Sequence, residues 1–319
     1  MMNLLAAVRR GNSLQVLLLP ILSMLVILIP IAVLRPFVLK YVGLQLLLNM
    51  AIPLSLATIG QMFAMAIGEI DFSIGNLVGL VTCIVGTVMS HNFGLGLAML
   101  LGIVGTYMLI GAFLNLRKLS SIVVTIGMSF VWTGLAVTIQ PSPGGNIPAI
   151  LQKATSLAVP FVPFPVLFLV ILAVLGHLVL FRTNFGILLR GIGGNLKAVS
   201  QSGHSIAWME AAVFGLVGLL GILSGMALAG ITTSADANVA SNYTLLTVAG
   251  VMLGGGSFAG GKISAVGAVL GACTMTLVGT LLTFLQISPD WQIGAQGTIL
   301  LLVLFLSGLA QAQKGARYV

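Results

Sequence analysis

Long apolar runs, each near the length of a membrane crossing, alternate with short polar connections along almost the whole chain. About 20 apolar residues cross the hydrocarbon core of a bilayer as a helix. The pattern predicts such helices at roughly 15–34, 42–66, 74–90, 93–114, 121–140, 161–181, 208–231, 241–258, 264–286 and 292–310. The expected fold is therefore all-α: a polytopic membrane protein of about ten transmembrane helices, forming a single domain over residues 1–319. The eighth run is the weakest, because only Tyr243 to Leu253 is apolar before a glycine stretch begins. The first run follows a short basic start and carries no small-residue cleavage site, so it reads as a retained helix rather than a signal peptide.

Charge orients this pattern. Lys and Arg total 13 and Asp and Glu total 5 in 319 residues, of which 59% are hydrophobic. That is too little charge to cover a soluble surface. With the N-terminus in the cytoplasm and strict alternation, Arg9, Arg10, Arg117, Lys118, Arg182, Arg190, Lys197, Lys262, Lys314 and Arg317 fall inside. Arg35, Lys40 and Lys153 fall outside. This is the cytoplasmic excess of cations that the positive-inside rule requires. Without the eighth crossing, Lys314 and Arg317 would move outside. Ten crossings with both termini cytoplasmic are thus expected. The net charge of +8 then reflects topology and anionic lipid headgroups. No nucleic-acid partner is implied, because the cations are scattered and no basic run has interleaved aromatics.

Glycine accounts for 40 residues, many of them inside the predicted helices, where small residues let backbones approach. Gly267 and Gly271 have the small-xxx-small spacing, which reads as close packing within the chain or as a dimer face. Pro53 should bend the second helix. Two glycine breaks, GEIDFSIG at 68–75 and LGGGSFAGG at 253–261, share Gly68/Gly254, Phe72/Phe258 and Gly75/Gly261 at one constant offset. They hint at an old repeat and fall on the same predicted side. Paired interruptions of this kind point to a transport pathway.

Candidate chemistry is sparse. Glu69 and Asp71 lie at a helix break, where a carboxylate is costly. Together with Ser73 and Gly75 they allow three readings: a cap on the third helix through Asp71 and Ser73, a moving gate, or proton carriers in a secondary transporter. Cys83 and Cys273 read as small packing residues. The three histidines have no metal-ligand spacing. GSFAGGKI at 256–263 resembles a phosphate loop but has Ile263 where Ser or Thr must hold magnesium, so nucleotide binding by this chain is not expected. Polar and aromatic residues within spans are candidates to line a pathway: Asn49, Gln61, Asn76, Trp132, Asn242, Tyr243, Gln292 and Gln296. Each could equally form hydrogen bonds between helices. The connection at about 182–207 carries a Gly193-Gly194-Asn195 turn and then LKAVSQS, with Asn195 a plausible N-cap and Gly203 a stop. That predicts a short helix along the membrane, or a solvated loop on headgroups.

These motifs resemble those of the ribose-type ABC sugar importer permeases, a branch of the branched-chain amino acid and sugar permease superfamily. GEIDFSIG is similar to their GGIDLSVG signature. FGILLRGIGGNLKAVSQSGHS resembles their cytoplasmic loop, and LGGGSFAGG their LGGxSLxGG element. Order and spacing match from about residue 42 to 310. The resemblance implies a type II importer fold in the bacterial inner membrane, importing a sugar or sugar-like neutral solute and not itself an enzyme. It implies a separate ABC ATPase that binds ATP and magnesium, a periplasmic substrate-binding protein and a second permease subunit. It makes Arg190, Gly193, Gly194, Asn195, Ala198, Ser202 and Gly203 the coupling element that docks on the ATPase. Two departures stand out. Tyr243-Thr244-Leu245-Leu246 lacks the acidic pair usual in relatives, and Glu69 replaces a glycine. A permease for branched-chain amino acids or another small solute, and a secondary transporter using Glu69 and Asp71, remain the alternatives.

Overall fold

The computed structural model describes residues 13–288, 291–292, 294–298 and 301. Arg9, Arg10, Lys314 and Arg317 lie outside the described residues, as does most of the tenth predicted segment. The described chain is all helix and connection, and it forms a polytopic membrane protein. The helices are α1 (Ser13–Leu34), α2 (Tyr41–Asn49), α3 (Ala51–Ala66), α4 (Ile74–Cys83), α5 (Phe93–Arg117) and α6 (Ser121–Ile139). They continue as α7 (Ala149–Thr155), α8 (Phe164–Arg182), α9 (Asn184–Gln201), α10 (Ile206–Thr232), α11 (Tyr243–Leu253) and α12 (Ala265–Phe284). A 3-10 turn at Pro36–Leu39 precedes α2, and α4 runs on as a π segment, Ile84–Met89. Among the described residues the strand-type pairing is one isolated bridge, Gly144 with Ala235.

Among the described residues, five helices are long and apolar enough to cross a membrane on their own: α5, α6, α8, α10 and α12. Joined as one bent span, α2 and α3 make a sixth, with 43° between them. The bend falls at Met50, one turn before Pro53, where the proline ring and its missing N–H break the ladder to residue 49. The eighth predicted run is corrected by the structure: helix covers only Tyr243–Leu253, and Gly254, Gly255 and Gly256 end it. The connection at 182–207 is also more ordered than expected. It is helical from Asn184 to Gln201 and is interrupted within that stretch at Asn195, whose φ of −157° and ψ of 91° are extended.

The core is organised around α3 and α10. Every residue of α3 is buried, and α10 packs between α5, α3 and α4 with glycines at the contacts. A methyl on Gly218 would press on Tyr107, one on Gly221 on Leu77, and one on Gly225 on Val81. Gly267 and Gly271 pack within the chain. They lie against the carbonyls of Gly254 and Gly250, so α11 and α12 form an antiparallel pair whose backbones touch at these two points. Cys83 and Cys273 are free and buried among apolar residues.

Candidate functional site

The segment between α3 and α4 cannot hydrogen-bond as a helix, so its polar groups are met by side chains. Asp71 is fully buried. Its Oδ1 accepts the Ser73 N–H at 2.7 Å and the Ser73 hydroxyl at 2.6 Å, and its Oδ2 accepts the Tyr107 hydroxyl at 3.0 Å. Tyr107 and Ser73 hydroxyls lie 2.8 Å apart. The Gln61 amide, oriented as its neighbours require, donates to the Asp71 carbonyl at 3.1 Å and accepts the Asp71 N–H at 3.2 Å. Tyr107 stacks on Trp132 with ring centroids 6.0 Å apart and planes within 5°. Three candidates widely separated in sequence, Gln61, Asp71 and Trp132, thus belong to one buried node. Ser73 occupies the N-cap of α4 without making a side-chain cap bond. Asp71 sits two residues earlier and closes a turn on Ser73 rather than capping the helix.

The other face of this segment rests on α6. Ser121 Oγ accepts the Ile70 N–H at 3.2 Å, and Thr125 Oγ1 accepts the Phe72 N–H at 2.9 Å. Asn76 donates to Thr133 Oγ1 at 2.6 Å. Ser121, Thr125, Ser129 and Thr133 recur every four residues and share one face of α6. Sequence reasoning passed over this hydroxyl stripe, and over Tyr107, although the spacing was visible. Glu69 is half-buried, with its N–H on the Ala64 carbonyl at 3.1 Å. Gly75 packs against Ala240 and Thr244.

The remaining pathway candidates do not join the node. Asn49 ends α2, and its Oδ1 is buried without a partner among the described residues. Asn242 donates to Gln296 at 3.3 Å, and Gln292 donates to the Ile287 carbonyl at 2.8 Å. Tyr243 is half-buried between three apolar clusters.

At one end of the bundle, three backbone segments meet without side chains. Gly261 N–H donates to the Ala66 carbonyl at 2.9 Å. A methyl on Gly193 would overlap Ala66 O and Gly261 N, and one on Gly260 would lie 3.0 Å from the Gly193 Cα and from Gly68 N. Both glycine breaks of the sequence therefore touch each other and α9. Beyond this junction Gly194 to Ala198 is exposed. Asn195 Oδ1 accepts the Ala198 N–H at 3.1 Å, starting a fresh turn of helix. Ser202 ends it, with its hydroxyl on Val199 O at 2.7 Å, and Gly203 reverses the chain at φ +84°. Arg190 lies 4.4 Å over the Phe181 ring and bonds the Gly186 carbonyl, facing away from this exposed turn. Beside it, Asn115 at the end of α5 donates to Glu210 Oε1 at 3.1 Å.

An all-helical bundle with a buried polar node and an exposed, glycine-anchored helical turn is the frame of a transport permease. The family of branched-chain amino acid transport system permease components matches residues 43–304, and the chain belongs to it. The ribose import permease protein RbsC of Bacillus subtilis is 27% identical over 293 residues, covering 90% of this chain and 91% of the relative. The autoinducer 2 import system permease protein LsrC of Yersinia enterocolitica is 28% identical over 263 residues, covering 80% of this chain and 72% of the relative. The xylose transport system permease protein XylH of Haemophilus influenzae is 32% identical over 145 residues, 46% of this chain and 39% of the relative. No solved structure gives a significant match.

Proposed function

We propose that this chain is the membrane-spanning subunit of a bacterial ABC importer for a sugar or sugar-like neutral solute. The observation that carries the reading is the match to a ribose import permease along nine-tenths of both chains. On this reading residues 1–319 form one permease domain of about ten crossings in the inner membrane, with both termini cytoplasmic. It pairs with a second permease subunit and is served by a periplasmic binding protein. A separate ATPase holds ATP and magnesium and supplies the energy. The exposed turn from Gly194 to Gly203 is its docking element, with Gly193 anchoring it to the bundle. Pathway residues are those that keep partial exposure: Asn49, Asn76, Asn242, Tyr243, Gln292 and Gln296. Gln61 and Trp132 hold the bundle together instead.

Neutrality of the solute is supported by the helices themselves. None of α3, α4, α6, α11 and α12 contains a charged residue. A fixed ionic charge on the solute would need a partner in low dielectric, whereas hydroxyls pair with amides. The test is ATP-driven uptake by the full system, competed with neutral sugars, sugar phosphates and amino acids. Neutral sugars should compete. Competition by branched-chain amino acids alone would move the chain to the solute that the family description names. A proton-driven carrier is disfavoured because both Asp71 oxygens are enclosed and engaged. Saturable uphill uptake in vesicles lacking the ATPase, driven by a proton gradient, would restore that alternative.

A further inference from the structure

Helix α11 is too short to cross a bilayer. Its 11 residues extend about 16 Å, against a hydrocarbon core of about 30 Å. The chain before it supplies the missing half by descending along a glycine face of α4. A methyl on Gly86 would lie 2.7 Å from the Ala235 methyl, and one on Gly75 would lie 2.6 Å from the Ala240 carbonyl oxygen, with Gly79 against Ala237 O between them. From Gly86 to Gly75 the descent is about 16 Å. Successive turns carry it: Val239 N–H to Asp236 O, Ser241 N–H to Asn238 O, and Tyr243 N–H to Ala240 O. Such turns rise about 2 Å per residue, so Ala237 to Ala240 covers about 6 Å. Four residues of α4, Gly79 to Gly75, also cover about 6 Å. Between these two contacts the segments stay in register, and α11 begins about halfway down.

Helix α4 begins inside the bundle as well. Ile70 is tied to Ser121 at the start of α6, while Asn76 is tied to Thr133, about 18 Å further along that helix. The starts of α4 and α11 meet at one side chain. Thr244 Oγ1 accepts the Gly75 N–H at 3.2 Å and donates to the Phe72 carbonyl at 3.3 Å. At the other end of the seam Thr82 does the same for Asp236, accepting its N–H at 3.3 Å and lying 3.1 Å from its carbonyl. Between these two hydroxyl pins the seam is glycine against carbonyl at Gly75 and Gly79, with Val78 alone packed against Ala240, Val239 and Tyr243.

We propose that residues 233–253 make one half-unwound crossing, and that its junction with α4, pinned by Thr244, is the pivot about which the transport motion turns. Irregular backbone is tolerated at membrane depth only where protein covers it or water reaches it. The two helix starts are joined at one hydroxyl, with glycine rather than a bulky side chain beside it, so the Thr244 bonds decide whether the inner end of the seam is closed. Thr244 is thus a positioning residue; this role rests on the transport reading above, while the crossing does not.

The test uses membrane vesicles carrying the full chain with its partner subunits. Ser241 is exposed at the seam, and Ser241→Cys is labelled with a membrane-impermeant maleimide; the buried Cys83 and Cys273 set the background. Thr244→Val should raise the labelling rate about tenfold, the shift expected when one net hydrogen bond no longer favours the closed seam. It should also lower sugar uptake while ATP hydrolysis persists. Thr244→Ser should restore both. Equal labelling in the Val and Ser variants overturns the proposal, as does altered labelling with unchanged uptake. If Val alone fails to insert, Thr244→Ala is read in its place; if Val and Ser both fail, Thr244 is a packing residue and the pivot is wrong. Wild-type vesicles that hydrolyse ATP but take up no sugar defeat the sugar reading, and the labelling rates still decide the crossing.

Discussion

Gly193 and Gly194 are neighbours on α9, yet the junction should tell them apart sharply. A methyl on Gly193 would come inside 3.0 Å of Ala66 O and Gly261 N and to 3.0 Å of Gly260 C. All three are backbone atoms, belonging to two separate segments, so none can swing aside. Accommodating the methyl means moving α9 by roughly 1 Å, an overpacking cost of about 1–3 kcal/mol. The 2.9 Å bond from Gly261 to Ala66 lies at the same spot, and stretching it adds about 1 kcal/mol. Alanine returns up to about 1 kcal/mol in helix propensity. Gly193→Ala should therefore cost about 1–3 kcal/mol net, lowering the melting temperature by roughly 2–10 °C. Around Gly194 nothing lies within 4 Å of the added methyl, so Gly194→Ala keeps only the propensity gain. The assay is thermal unfolding of the detergent-purified chain followed by size-exclusion, with co-purification of the ATPase scored in parallel. Gly193→Ala should lose both stability and partner; Gly194→Ala should lose neither. Equal behaviour of the two variants would refute the three-way contact.

Three further outcomes follow from the node and the turn. Asp71→Asn should stay within about 1 kcal/mol of wild type, because an amide still accepts from Ser73, whereas Asp71→Ala should cost about 3 kcal/mol by leaving the Ser73 N–H and the Tyr107 hydroxyl unpaired in the core; the same melting assay reads both, and uncoupled ATP hydrolysis in a well-folded Asn variant would show that the charge matters. Thr125→Val should cost about 1–3 kcal/mol by orphaning the Phe72 N–H, and Thr125→Ser should recover it. Gly203→Val forces a β-branched residue to φ +84°, a strain of about 1–3 kcal/mol confined to the exposed turn; membrane insertion should be normal and ATPase co-purification reduced, and unchanged co-purification would remove this turn from the docking surface.

Apolar run lengths located the long helices because, in lipid, the hydrocarbon thickness alone sets how much apolar chain is needed. The same logic is weakest at residues 241–258, where helix covers only Tyr243–Leu253 and the turns before it rest on α4 instead. Gly75, Gly79 and Gly86 create a trough on α4 that receives the descending turns, and nothing in the 241–258 run itself reveals that. Asn195 and Gly203 were legible as punctuation, since caps are local chemistry. The Asp71 node was legible only as a cost: a carboxylate at a helix break needs partners. Its partners Tyr107 and Gln61 come from other helices and carry no local signal. Ser121 and Thr125 were readable in principle, because a four-residue hydroxyl repeat on an otherwise apolar helix asks what backbone it serves.

The two glycine breaks also acquire a physical explanation that does not require duplication. Gly68 and Gly261 have φ values of +85° and +73°, a region that suits glycine and strains other residues. Each break must also pass within touching distance of the other, with Gly193 between them. A shared steric constraint at one junction selects glycine at 68, 260 and 261, while Gly75 and Gly254 answer to separate contacts. The contact has a mechanical consequence. Force applied to the exposed turn at 194–203 reaches the bundle through Gly193, and there it meets two segments at once. Through Ala66 and Gly68 it reaches the Asp71 node and the start of α4. Through Gly260 and Gly261 it reaches the α11–α12 pair, whose other end is the start of α11 at Thr244. Both arms end at the same mid-membrane junction. A rigid displacement of the turn would therefore move both sides of the seam together, whereas a rotation about Gly193 would shear one past the other. If the junction is the pivot proposed above, rotation rather than push would be the motion that shears the seam.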